Sequence, residues 1–311
     1  MMAFRKLSKL FLCMVATAFL FSADLAPAVE QPPRERDILR DTYHRNMPAL
    51  ERNSFGFPLF LESFERDHRV TVDVYGVFDY PYGGVADVVK VPANWCEILF
   101  LHPNVKACTY RELQDEWLLT LYVGRKVYKA PEDAHEIIYH YRKVDQQPDF
   151  LNIVLSAEEG PLGTKDHLMR FEALPLDGGR TFAHVRYAYS DSFVFRLAEK
   201  IYFATLGRDK VGFTITGTDH DGNPVYIHGP RGALERNAAR YYFAIQSFME
   251  TLHYPEESRF KMRIDDWNDL TNRYRQQLYE LDREDYLTIK TKEYKNQERL
   301  QRQIETEPSA P

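Results

Sequence analysis

Apolar and polar positions alternate through most of the first two thirds of the chain and then change period. Val70–Phe78 (VTVDVYGVF) sets Val70, Val72 and Val74 against Thr71, Asp73 and Tyr75, the two-residue repeat of a half-buried strand. A break follows at Tyr80–Gly84. Pro92 then opens a short helix holding Trp95, Ile98 and Leu99, which His102-Pro103-Asn104 ends. A second strand starts over Val105–Tyr110. Further strand-like runs follow at Trp117–Val123, His135–Val144, Phe150–Ala157, His167–Leu174 and Thr181–Tyr189. Short turn sequences separate them, among them Asp177-Gly178-Gly179, where glycine tolerates the positive φ of a tight hairpin. Strands joined in this way predict an antiparallel meander.

The period then becomes helical. Ser192–Leu206 places Phe193, Leu197, Ile201 and Ala204 on one side, and Val211–Gly217 with Pro224–His228 flank a small hairpin turn. The strongest pattern is Gly229–Leu252. Leu234, Ala238, Tyr241, Ile245, Phe248 and Leu252 keep one continuous apolar face, widened by Tyr242 and Met249. Arg236, Arg240, Ser247 and Glu250 fall largely on the other side. Pro230 suits the first helical turn and Pro255 marks the stop. Such a helix needs a large apolar partner, which the preceding strands supply. Beyond it, Ile264, Trp267, Leu270, Tyr274, Leu278 and Leu281 predict a second helix packed back on the domain. Asp282–Gln303 reads as a charged, solvated helix or tail, and Thr306–Pro311 as disordered.

Composition adds a compartment and a size. The 311 residues are 44% hydrophobic and 14% aromatic, enough for a sizeable core. Twenty Tyr and twenty Phe suit both a core and a ligand-lined cavity. Arg5, Lys6 and Lys9 precede an apolar run, Leu10–Phe21, and Ala26-Pro27-Ala28 offers a cleavage site. The run is shorter than the about 20 residues of a membrane span. A signal peptide over 1–28, cleaved after Ala28, predicts a periplasmic or secreted protein with no stable membrane span; a retained anchor is the alternative. Residues 29–60 read as a solvated leader (EQPPRERD) with an apolar lead-in (FGFPLF). Cys96 and Cys108 either pair in an oxidising compartment or are ordinary buried residues. A net charge of −6 without a basic run excludes ordinary nucleic-acid binding.

Candidate chemistry is sparse. Asp133, His135 and His140 echo a two-His-one-carboxylate site, but strand residues five apart point to opposite faces. Asp219, Asp221 and Asn223 resemble part of a calcium loop without its closing glutamate, and a hairpin turn explains them. The nucleophile elbow, the Walker loop and the dinucleotide fingerprint are missing from the sequence. His167 and His184, with Glu172 or Asp166, form the one acid–base set to weigh. No catalytic residue, metal or cofactor is assigned.

VTVDVYGVFDYPYGGVADVVKVPANWCEILF, TFAHVRYAYSDS and GPRGALERNAARYYFAIQSFMETL, in that order, resemble the START-like (SRPBCC) superfamily. This is the helix-grip fold shared with Bet v 1-type proteins and polyketide cyclases. The resemblance covers about Leu61–Leu252 and rests on element order. It implies an α+β fold in which a curved antiparallel sheet grips a long C-terminal helix, here with an added helical extension. The organisation expected is 1–28 signal peptide, 29–60 leader, 61–255 ligand-binding domain, and 256–311 charged extension and tail. It further implies a cavity between sheet and helix that takes an apolar molecule. Alternation puts Ile137, Tyr139 and Tyr141, and Val185, Tyr187 and Tyr189, on the cavity side, with Trp95 nearby and Tyr241, Ile245 and Phe248 facing them from the helix. Glu136, His140, Arg142, His184 and Arg186 fall outside. The expected function is an exported protein binding or transferring a hydrophobic small molecule or lipid. The alternatives are a cyclase- or hydrolase-like enzyme of the same fold, and an envelope interaction protein whose residues 256–303 bind a protein partner.

Overall fold

A computed structural model describes residues 34–306 except 115 and 206, so the expected signal peptide lies outside the described residues. The main strands are β1 (Leu59–Arg66), β2 (Arg69–Phe78), β3 (Val105–Leu113), β4 (Glu116–Val123), β5 (His135–Gln147), β6 (Phe150–Glu159), β7 (Lys165–Leu176) and β8 (Arg180–Ser190). All pair antiparallel, in the order β1-β2-β8-β7-β6-β5-β4-β3. The helices are α1 (Glu35–Glu51), α2 (Tyr82–Val89), α3 (Pro92–Phe100), α4 (Phe193–Ala204), α5 (Gly229–Glu250), α6 (Glu256–Asn272), α7 (Arg275–Leu278) and α8 (Arg283–Thr306). A small hairpin, β9 (Ile215–Thr218) and β10 (Pro224–Tyr226), precedes α5. No helix among the described residues is long and apolar enough to cross a membrane.

Register assigns the two faces. Val72 pairs with Tyr187, Tyr187 with Met169, and Met169 with Leu155, while Val74, Val185, Phe171 and Ile153 form the next row. Tyr141 faces Leu155 and Leu119 faces Tyr139. This is the side that α5 covers. At Gly76 the absent side chain lets the Tyr242 ring lie directly on β2, where it stacks on Phe78 at 4.9 Å. The alternate residues face away, and there His184 sits between Glu172 (2.8 Å) and Asp73 (2.7 Å), which also takes Arg186. Burial pulls the His184 pKa down, but its two carboxylate hydrogen bonds outweigh that and raise it.

Three expectations are corrected. Residues 29–60 are not a leader through their described part, because α1 and β1 occupy it. Leu39 and Leu50 of α1 pack against Tyr75, Phe150, Leu174 and Phe182 on the outer face of the sheet. Nor is the polar side of α5 solvated. Arg236, Arg240 and Ser247 are buried, because α6, the chain after it and the 211–228 segment close over that side. Trp267 of α6 donates its indole N–H to the Arg240 carbonyl at 3.1 Å.

The third correction is α8, which the charge pattern assigns to solvent. It lies along β3, the last strand of the sheet. Gln297 accepts the Cys108 N–H at 2.7 Å; Gln301 accepts the Tyr110 N–H at 2.9 Å and donates back to its carbonyl at 3.1 Å. Lys290 donates to the Val105 carbonyl (2.7 Å), and both Lys290 and Lys106 meet Glu293 at 3.0 Å. An edge strand carries unpaired N–H and C=O groups, and here a stripe of polar side chains satisfies them. Cys96 in α3 and Cys108 in β3 form a disulfide (S–S 2.07 Å), which fastens the same strand to the helix beneath it.

Candidate functional site

Along the C-terminal half of α5 the space to the sheet is filled. Around its N-terminal half a cavity of about 490 Å³ remains. Leu121 and Val123 from β4 and Ile137 and Tyr139 from β5 form one wall; Met169, Tyr187 and Tyr189 form another. Asn237 and Tyr241 of α5 face them, and His102, the Pro161–Thr164 turn and Phe195 close the ends. The aliphatic and phenolic character of the walls follows from the alternation of β4, β5, β7 and β8. Burial raises the pKa of Tyr187 to about 12 and pushes those of Tyr139 and Tyr241 higher still, so these hydroxyls stay protonated as donors.

Of the ten residues expected to line a cavity, Ile137, Tyr139, Tyr187, Tyr189 and Tyr241 lie on its wall. The other five do not. Trp95 gives its indole N–H to the Val89 carbonyl (2.6 Å) and packs on Phe171; Tyr141 donates to the same carbonyl at 3.3 Å. Val185, Ile245 and Phe248 are packed core. Alternation gives the face a residue is on, but not how far along that face the gap extends. His102, Asn237 and Met169 were not anticipated. His102 lies in the loop after α3, where its ring stacks on Tyr241 at 4.9 Å and its Nε2 meets Asn237 Oδ1 at 3.2 Å.

The candidate acid–base set is not assembled. His167 is in the cavity wall, bonded to Thr164 Oγ1 (2.9 Å) and 3.4 Å from the Tyr187 hydroxyl. Burial lowers its pKa to about 4, so it is neutral at neutral pH. His184 and Glu172 are on the opposite face of the sheet, and Asp166 accepts from Ser190 near the surface. Among the described residues, no carboxylate lines this cavity. His140 pairs with Glu116 at 2.8 Å, and Asp219 accepts the N–H groups of Asp221 and Asn223, closing its turn.

One antiparallel sheet wraps a long helix late in the chain and leaves a cavity between the two. The architecture is a helix grip. Neither a family model nor a curated protein sequence matches the chain. Among solved structures, the helix grip is similar to human StAR-related lipid transfer protein 5, at 10% identity and a TM-score of 0.36, over 70% of this chain and 98% of that one. It is similar to a conserved protein from Geobacillus kaustophilus (12% identity, TM-score 0.35, 58% and 96%). A third is the Zhui aromatase/cyclase from Streptomyces sp. R1128 (13% identity, TM-score 0.30, 65% and 94%). These are likenesses of fold alone.

Beside the cavity of this helix grip lies a second, more open cleft of about 760 Å³, under α4. The two share Asn104, Arg125, Leu162, Tyr189, Phe195 and Asn237. The cleft differs in charge. Glu280 receives Lys126 (2.6 Å), Arg240 (2.7 Å) and Lys210 (3.5 Å). Burial and the nearby Arg240 bring Lys126 down to about 7 and Arg236 to about 10. Burial pushes Glu280 up, but its cationic neighbours outweigh that and hold it at about 2. Burial, with Asp191 and Glu65, raises Glu199 on the underside of α4 to about 7. The apolar side expected for α4 faces outward, with Phe193, Val194, Leu197 and Ile201 exposed, while Phe195 and Tyr202 turn toward the cleft.

Proposed function

We propose that this chain is an exported protein that binds, and passes on, a hydrophobic small molecule or lipid in the cavity between the sheet and α5, without catalysing a reaction. The observation that carries this is the chemistry of the cavity wall: largely aliphatic and phenolic groups, with a neutral His167 whose hydrogen bonds go to hydroxyls and to no carboxylate. Burying an alkyl chain there gains about 0.8 kcal/mol per CH₂, so shape and apolar area suffice for affinity, and a few hydroxyl and amide groups set orientation. Export is supported by the basic N-terminus followed by an apolar run, and by a disulfide suited to an oxidising compartment.

The test is mass spectrometry of a solvent extract of the purified protein, with uptake of a neutral apolar dye such as Nile red measured after delipidation. A co-purifying apolar compound and saturable dye binding are expected. Ile137→Trp, which fills the cavity from β5, should abolish both. A protein that emerges empty and takes up no dye overturns the reading.

A further inference from the structure

The cleft beside the apolar cavity has a charge imbalance that folding alone does not explain. Arg125, Lys126, Lys210, Arg236 and Arg240 line it with two carboxylates, Glu199 and Glu280, of which Glu280 pairs with Lys126, Lys210 and Arg240. Arg236 is 3% exposed and Arg240 1%, yet Arg236 has no ion-pair partner among the described residues and only the Val211 carbonyl, at 3.2 Å, as acceptor. Arg240 uses both terminal nitrogens, Nη1 on Asn237 and Nη2 on Glu280 and the Leu278 carbonyl, while its Nε has no partner among the described residues. Buried guanidinium groups ordinarily have their donors satisfied, and like charges held together in a partly dry space repel. Both costs are relieved if an anion enters. Planar guanidinium donors favour the flat or tetrahedral oxygens of a carboxylate or phosphate.

The place of this cluster gives the rest of the ligand. Asn237, which directly follows Arg236 and stands three residues before Arg240 on α5, is also a wall of the apolar cavity. One end of the combined space is therefore aliphatic and phenolic, the other cationic. We infer that the ligand is an amphiphile with an anionic head, a carboxylate or phosphate, whose tail occupies the cavity by Ile137 and Met169 and whose head meets Arg236, Arg240 and Lys126. This rests on the apolar cavity being the hydrophobic ligand site, and it narrows that ligand to one chemical class.

The experiment measures displacement of Nile red from the delipidated full chain by myristate, tetradecanol, myristoyl lysophosphatidate and inorganic phosphate. Myristate and the lysophosphatidate should compete at least about tenfold more strongly than tetradecanol, the scale of a charge-assisted hydrogen bond. Inorganic phosphate should not displace the dye. Arg236→Met should remove the advantage of the charged probes and leave tetradecanol unchanged. Lys126→Met, at the more exposed rim, is the second variant should the first fail to fold. If tetradecanol matches myristate on the unmodified protein, the head-group inference is overturned while the apolar site stands. If inorganic phosphate competes as well as the lysophosphatidate, the cleft is a small-anion site and the amphiphile is overturned. If the dye itself does not bind, the underlying reading of the cavity fails instead.

Discussion

Two of the buried cation groups in this molecule are built differently. Under α8, Lys106 and Lys290 share Glu293, and each also has a backbone carbonyl; Lys290 lies over the Phe100 ring at 3.6 Å. All three charged groups are almost fully buried, and each ammonium has both a carbonyl and the Glu293 carboxylate as acceptors. Under α4, five cations line a cleft with two carboxylates, Glu199 and Glu280, and among the described residues Arg236 has a single acceptor and the Arg240 Nε has none. The first group closes the sheet and is complete. The second is incomplete without something further, and that difference separates a structural charge cluster from a binding one.

The contrast breaks first at Glu293. Glu293→Gln strands two buried ammonium groups and should cost roughly 3–5 kcal/mol in urea unfolding. The paired change Gln297→Ala with Gln301→Ala leaves the Cys108 and Tyr110 N–H groups unmet, and about 1–3 kcal/mol per site is expected by the same measurement. Arg236→Met, by comparison, should leave stability within about 1 kcal/mol of the parent or raise it, because it removes a buried charge that makes no ion pair with the described residues. An Arg236→Met loss as large as that of Glu293→Gln would erase the distinction. The smallest effect is in pH dependence. Lys126 releases its proton near pH 7 in the folded protein but holds it to about 10.5 when unfolded, so the unfolded chain binds more protons between those values. Its contribution to stability therefore rises with pH across that window. Subtracting the unfolding profile of Lys126→Met should isolate that slope, and parallel profiles would refute it.

Much of the architecture was legible because its signals are apolar and periodic. The meander from β3 to β8 reads directly from two-residue alternation, and α5 from one unbroken stripe. β1 escaped because both of its faces carry bulky residues: Leu59 and Leu61 turn inward, Phe60 and Phe64 outward, and the inward row ends on Ser63, which Glu235 of α5 holds at 2.6 Å. α1 escaped because its packing residues, Leu39 and Leu50, are sparse among charges. α8 escaped for a deeper reason. Beyond Tyr286 its buried residues are Lys290, Glu293, Asn296 and Gln297, and hydropathy cannot tell a polar residue that finds a partner from one that faces water. The same blindness leaves the burial of Arg236 and Arg240, off the apolar face of α5, invisible in the sequence. Half of the residues that the sequence names for the cavity lie on its wall, since alternation names the face; the length of the gap along α5 depends on packing that no local pattern encodes.

The way α8 covers β3 has one more consequence. A sheet that ends on bare main chain offers neighbouring molecules a ready template for side-by-side growth into fibrils. Here that rim is gloved by glutamine and lysine side chains already engaged with it. On this flank the protein can be concentrated without recruiting further copies of itself strand by strand, a protection that shortening the chain before Arg283 would strip away.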